Sequence, residues 1–207
     1  WNIKIIKSNT AILWFRIQLL SFMNAKNFSV EISSKIPDFT KTISVDSDKS
    51  ISIRSCLIGS ISQNITTVDN ILESEDVISS INCLRKLGVK IKKIKTRKYL
   101  IYGKGLGSLF AKKNQLLNFG NSGTLARLLI GILSTTPNIS VIMKGDHSLN
   151  KRNMKKLIEV MSRFGAEFLP KNKFNFPLKM ISSEMPVAIN FKAGVSAQIK
   201  SAVMFAG

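Results

Sequence analysis

From Ile43 onward, short β-branched runs alternate with stretches in which apolar residues recur at three- and four-residue spacing. Ser74-Glu75-Asp76 offers an N-cap hydroxyl and two acids for a first helical turn, and Ile78, Ile81, Leu84 and Leu87 follow at helical spacing up to Gly88. Val89–Ile94 and Lys98–Tyr102 then read as the two strands of a hairpin. A second helix is expected to open at Ser148 or Asn150. It carries Met154, Leu157, Ile158, Met161 and Phe164 on one face, ends at Gly165 and gives way to a strand over Ala166–Leu169.

These two passages are versions of one phrase. Arg85-Lys86-Leu87-Gly88-Val89-Lys90-Ile91 matches Ser162-Arg163-Phe164-Gly165-Ala166-Glu167-Phe168 in the order helix end, glycine, strand. An internal duplication follows, with Ser52–Ser60 and Thr124–Leu133 as a further helix in each unit. A third unit is expected to begin near Pro186, with Ile199, Val203, Met204 and Phe205 on an apolar helix that the chain's end at Gly207 interrupts. Repeats of strands and helices around a shared core give an α/β (α+β) fold.

The first residues read differently. Trp1 and Trp14 are the two tryptophans, and Ala11–Met23 is an apolar run broken by Arg16. That run is shorter than the ~20 residues a bilayer span needs. Lys4 and Lys7 imitate the basic start of a signal peptide, but no small-residue cleavage site follows. Residues 1–22 are therefore expected to be an upstream leader before a true start at Met23, with a short membrane-associating helix as the alternative. Residues 23–42 are expected to be an N-terminal strand region belonging to another lobe, and 43–207 a lobe truncated in its third unit. No other stretch is apolar enough to span, so a cytoplasmic protein is expected.

Lys and Arg number 31 against 12 Asp and Glu, a formal net charge of +19, which favours anionic partners without choosing among them. Cys56 and Cys83 each sit beside apolar residues and read as reduced, buried thiols. With one histidine, His147, and no CxxC pair, a metal site is not expected. Eight basic residues and no acid fill Arg85–Lys98. They read as a solvated helix end and hairpin face, although Tyr99 and Tyr102 could stack on bases in a small RNA-binding protein.

Four polar segments carry candidate chemistry. In Lys49-Ser50-Ile51-Ser52-Ile53-Arg54, a compact ammonium, a hydroxyl and a planar guanidinium stand where a strand gives way to a helix. In Gly120-Asn121-Ser122-Gly123-Thr124-Leu125-Ala126-Arg127, two glycines bracket a turn before an apolar helix, so bare amides can approach an anion. This is neither a Walker A loop nor a dinucleotide fingerprint. Lys151-Arg152 places a cation in what reads as a first helical turn, against the dipole, which marks Arg152 as an anion ligand. Ser196-Ala197-Gln198 adds donors and an acceptor suited to a polyol.

In that order the four segments resemble the 3-phosphoshikimate 1-carboxyvinyltransferases, also called 5-enolpyruvylshikimate-3-phosphate synthases. The resemblance runs from about Ile43 to Gly207 and corresponds to the first half of a family member. It implies two inside-out α/β prisms of three βαβαββ units each, with this chain supplying one incomplete lobe. It further implies shikimate 3-phosphate contacts from Lys49, Ser50, Arg54, Ser196, Ala197 and Gln198. Phosphoenolpyruvate would touch Lys49, Asn121, Gly123, Thr124, Arg152 and Gln198. No metal or organic cofactor is implied. The expected partners are the two small substrates alone, with neither nucleic acid nor membrane, and the full-length protein is expected to be a monomer. The family's proton-transfer groups fall in its C-terminal half, so no general acid or base is assigned here. Ile53 stands where the family commonly has Asn or His, and Asn153 replaces its usual proline. The UDP-N-acetylglucosamine 1-carboxyvinyltransferases are the alternative of the same fold, but their Lys-Asn pair is not matched, since Ser50 follows Lys49.

Overall fold

The tight turn at Gly88 (φ +87°) and its counterpart at Gly165 (φ +102°) both lie in the left-handed region that glycine enters without strain, and each ends a helix ahead of a strand. The computed structural model describes residues 2–6, 40–192, 194 and 196–207. The apolar run Ala11–Met23 and the expected start at Met23 lie outside the described residues. Strand β1 (Asn2–Ile6) pairs antiparallel with β2 (Thr40–Ser44). Residues 1–46 form one unit and 47–207 another, a division a few residues beyond the expected boundary at Ile43.

The elements of the second unit run α1 (Lys49–Ile61), β3 (Ile65–Asp69), α2 (Glu75–Lys86), β4 (Lys90–Lys95) and β5 (Lys98–Tyr102). There follow β6 (Gln115–Asn118), α3 (Gly123–Ser134), β7 (Ser140–Lys144), α4 (His147–Asn150), α5 (Lys155–Arg163), β8 (Glu167–Leu169), β9 (Leu178–Ile181) and α6 (Ala197–Ala206). The duplication is visible in the sheets. One has the order β3-β5-β4 and the other β6-β7-β9-β8, with β3, β4 and β5 in the places of β7, β8 and β9. The expected hairpin is β4–β5, antiparallel from Lys90↔Tyr102 to Lys95↔Lys98, with one irregularity between Lys93 and Lys95.

Two helix expectations need correction. In α2 the core-facing residue of the first turn is Val77, and Ile78 is 38% exposed; Ile81, Leu84 and Leu87 are buried as expected. The Ser74 hydroxyl caps nothing and is buried without a hydrogen-bond partner among the described residues, so the α2 start rests on main-chain bonds to the Ser74 carbonyl and on the acids Glu75 and Asp76. The helix expected from Ser148 or Asn150 is two. Asp146 caps the one-turn α4 by accepting from the Leu149 N–H at 2.7 Å, and α5 starts only at Lys155. Asn150 braces the loop instead, accepting from the Gly145 N–H at 2.9 Å. The predicted face of Met154, Leu157, Ile158, Met161 and Phe164 is buried throughout.

Helix α3 is the axis of the core. Every one of its residues except Arg127 is buried, and it packs on α1, α2, α5 and α6. The sheets turn Ile91, Tyr99, Ile101, Val141, Met143 and Met180 inward, as a helices-inside, sheets-outside prism requires. In α6 the buried positions are Ala202 and Ala206 rather than Met204, which is 79% exposed; Val203 and Phe205 are half-buried against the core. Small residues fit this crossing because α3 and α6 are close: a Cβ on Gly131 would stand 2.3 Å from the Ala202 carbonyl oxygen. Both thiols are buried, and desolvation pushes each up to about 12. Tyr99 is also buried, with its hydroxyl donating to Glu73 at 2.8 Å, and Lys90 and Lys92 lie over the Tyr102 ring. The basic hairpin thus consumes its own aromatics. No helix among the described residues is long and apolar enough to cross a membrane.

Candidate anion-binding site

The site starts from a parallel pair of strands. β6 and β7 run in register from Gln115↔Val141 to Asn118↔Lys144 and are joined through α3 in a βαβ crossover. Both strands therefore end at one edge, which sets the loop after β6 beside the loop after β7. The Asp146 N–H donates to the Gly120 carbonyl at 2.8 Å, and Arg152 Nη2 donates to Asn121 Oδ1 at 3.0 Å. Gly120 turns the chain at φ +56°, and Ser122 caps α3 by accepting from the Leu125 N–H at 3.2 Å.

Gly123, the first residue of α3, lies beneath two guanidiniums. A Cβ there would meet Arg127 Nη1 and Arg152 Nη1, each at 2.7 Å. Two cations above a helix N-terminus repel one another and the dipole unless an anion joins them. Burial, and then the charge of Arg152, push Arg127 below the ordinary arginine range. Arg127 Nη1 donates to the Gly123 carbonyl at 3.0 Å and to Gln198 Oε1 at 2.8 Å, and Gln198 Nε2 donates to Thr124 Oγ1 at 3.0 Å. The first turn of α6 is thereby fastened to the first turn of α3.

Arg54 reaches the same helix further along. Its Nη2 donates to Ser201 Oγ and its Nη1 to the Ser50 carbonyl, both at 3.3 Å. At the start of α1, Asp48 accepts from the Ile51 N–H at 2.7 Å, and Lys49 Nζ lies 2.9 Å from Asp76 Oδ2 in α2. Ser52 is structural: its hydroxyl donates to the Asp48 carbonyl and accepts from the Leu72 N–H. Hydrogen bonds therefore link Arg54, through α6, with Gln198, Thr124, Gly123, Asn121 and Arg152. Ser50 joins this set through its carbonyl, bonded to Arg54, whereas the Lys49 ammonium faces Asp76.

Arg152 stands over Gly123 but does not occupy the first helical turn expected of it. It follows the one-turn α4, its N–H bonded to the Leu149 carbonyl, rather than opening a helix. A helix C-terminal end suits a cation. Three other features escaped the sequence reading: Asp76 as the partner of Lys49, the clamp from Arg127 to Gln198, and a cavity of about 390 Å³ between α5 and α6 that reaches Arg127. The first two are side-chain pairings between remote helices. The basic first turn of α5, Lys155-Lys156, was the visible trace of the third.

A duplicated strand–helix lobe with two arginines over the turn at Gly123 defines the class: an α/β lobe of the enolpyruvyl transferase fold. The EPSP synthase (3-phosphoshikimate 1-carboxyvinyltransferase) model matches residues 34–207, and the chain belongs to that family. Among curated relatives, the 3-phosphoshikimate 1-carboxyvinyltransferase of Desulforamulus reducens is 43% identical over 166 residues, 80% of this chain and 38% of its own length. That of Bacillus subtilis is 40% identical over 181 residues, 84% of this chain and 40% of its own. A solved EPSP synthase from Acinetobacter baumannii superposes with a TM-score of 0.73 at 34% identity, over 80% of this chain and 38% of that one. The chain thus spans about two fifths of the length of the relatives it matches.

Proposed function

We propose that this lobe binds shikimate 3-phosphate and phosphoenolpyruvate for transfer of the enolpyruvyl group to the shikimate 5-hydroxyl with release of phosphate, a step toward aromatic amino acids. The observation that carries the reading is the convergence of Arg127 and Arg152 on Gly123, beside Gln198 and Thr124. In the addition step the 5-hydroxyl gives up its proton as its oxygen bonds to C2 of the enol phosphate, and C3 gains a proton to become a methyl group. In the elimination step the C2–O bond to phosphate breaks and the methyl group loses one proton, which restores the double bond. The side chains gathered here supply positive charge and hydrogen-bond donors, which hold the two substrates together and offset the charge of their phosphates and carboxylates.

Asn121, Gly123, Thr124 and Arg152 form the phosphoenolpyruvate side of this site. Ser50, Arg54, Ser196 and Ala197 form the shikimate 3-phosphate side, and Lys49 and Gln198 serve both substrates. The full-length protein acts in the cytoplasm, as a monomer, on small molecules alone. Calorimetric titration tests this: shikimate 3-phosphate binds, phosphoenolpyruvate binds more tightly once it is present, and Arg54→Ala weakens the first. Binding of UDP-N-acetylglucosamine with no binding of shikimate 3-phosphate would overturn the assignment in favour of the other enolpyruvyl transferase family.

A further inference from the structure

The cavity of about 390 Å³ between α5 and α6 is lined by Arg127, Lys155, Lys156, Asn153, Ser196 and Gln198, with no carboxylate among its lining residues. Two of its three cations have partners. Arg127 is held by the Gly123 carbonyl and Gln198. Lys155 lies 3.9 Å from Glu159 Oε1, with its ammonium 5.4 Å from the centre of the Phe174 ring. Lys156 is exposed and makes no hydrogen bond or ion pair with the described residues. It stands in the first turn of α5, whose N-cap residue, Met154, has no side-chain oxygen to offer, so its charge opposes the helix dipole. Across the cavity, Ser196 Oγ accepts from the Ile199 N–H at a long 3.4 Å and keeps its own proton to donate. An uncompensated ammonium, a second cation and a free hydroxyl donor around one cavity match a dianion with three acceptor oxygens.

From this we infer that Lys156 is a specificity-determining residue that takes the 3-phosphate of shikimate 3-phosphate together with Ser196, a step that rests on the function proposed above. Lys156 separates the phosphorylated cyclohexene carboxylate from shikimate by charge, from a helix that carries none of the site residues assigned above. Folding is not at risk in the test, because removing a cation from the first turn of α5 favours the helix.

Titration of the purified protein with shikimate 3-phosphate is expected to show affinity about tenfold weaker in Lys156→Gln, the loss of one charged hydrogen bond at an exposed position. Lys156→Arg should stay within about threefold, and Lys151→Gln, a neighbouring charge outside the cavity, should do the same. Equal losses in Lys156→Gln and Lys151→Gln would overturn the inference in favour of a diffuse field. Unchanged affinity in Lys156→Gln would overturn it and leave the proposed function standing. Failure of the unsubstituted protein to bind shikimate 3-phosphate would overturn the function itself.

Discussion

Arg127 donates through one nitrogen to both the Gly123 carbonyl and Gln198 Oε1, so a single guanidinium closes the start of α3 onto the start of α6 across 71 positions of sequence. It is the only residue of α3 that is not buried. Desolvation and Arg152 both act against its charge, so its contribution to stability is small while its hold on Gln198 is specific. Arg127→Met is expected to change unfolding free energy by no more than about 1 kcal/mol while weakening shikimate 3-phosphate binding by at least about tenfold. Denaturant unfolding beside calorimetry checks this. A stability loss above about 2 kcal/mol would make Arg127 a structural residue instead.

Lys49 allows a similar separation. Its ion pair with Asp76 is half-exposed on the lysine side, and such pairs contribute about 0–1 kcal/mol. Lys49→Met should therefore leave the thermal midpoint nearly unchanged while lowering affinity for shikimate 3-phosphate and phosphoenolpyruvate together. Undiminished affinity for both would remove Lys49 from the site.

Much of this was legible because it is local. The Lys49–Arg54 segment, the turn at Gly120–Gly123 and the paired glycines Gly88 and Gly165 each announce themselves within a few residues, through spacing or a φ that glycine favours. The misreadings were local too: Ser74 looked like a cap, and Met154 looked like part of a continuous helix, because periodicity does not show where a hydroxyl points or where a one-turn helix stops. What the sequence could not show was pairing at a distance. Asp76 reads as a first-turn acid until α1 brings Lys49 to it, and Arg152 sits over Gly123 because parallel β6 and β7 end at one edge.

Glu73 ties the β4–β5 hairpin to the rest of the lobe. Lys93, the Tyr99 hydroxyl and the Arg97 N–H all donate to its carboxylate and hold it down at about 2, against an ordinary value of 4.5. A depressed carboxylate stabilises the folded state above its unfolded value, and that contribution fades as pH falls toward the folded one. The thermal midpoint of Glu73→Gln should lie below that of the unsubstituted protein at pH 6, and the gap should narrow between about pH 4.5 and pH 2. A gap constant across that window would mean the carboxylate charge is not what secures the hairpin.

The α3–α6 crossing gives the sharpest test of packing. A methyl group on Gly131 would sit 2.3 Å from the Ala202 carbonyl oxygen and 2.9 Å from its Cα, main-chain atoms that no side-chain rotation can move aside. Gly131→Ala must push the two helices apart, so it should cost about 1–3 kcal/mol, read from denaturant unfolding, even though alanine is the better helix former by roughly 1 kcal/mol. Because the obstacle is backbone, Ala202→Gly should not restore the loss, and the double variant should be no more stable than Gly131→Ala alone. The Arg127–Gln198 clamp lies on the same pair of helices, so Gly131→Ala should also weaken shikimate 3-phosphate binding. Rescue by Ala202→Gly would show that the helices meet through side chains and that the close approach described here is wrong.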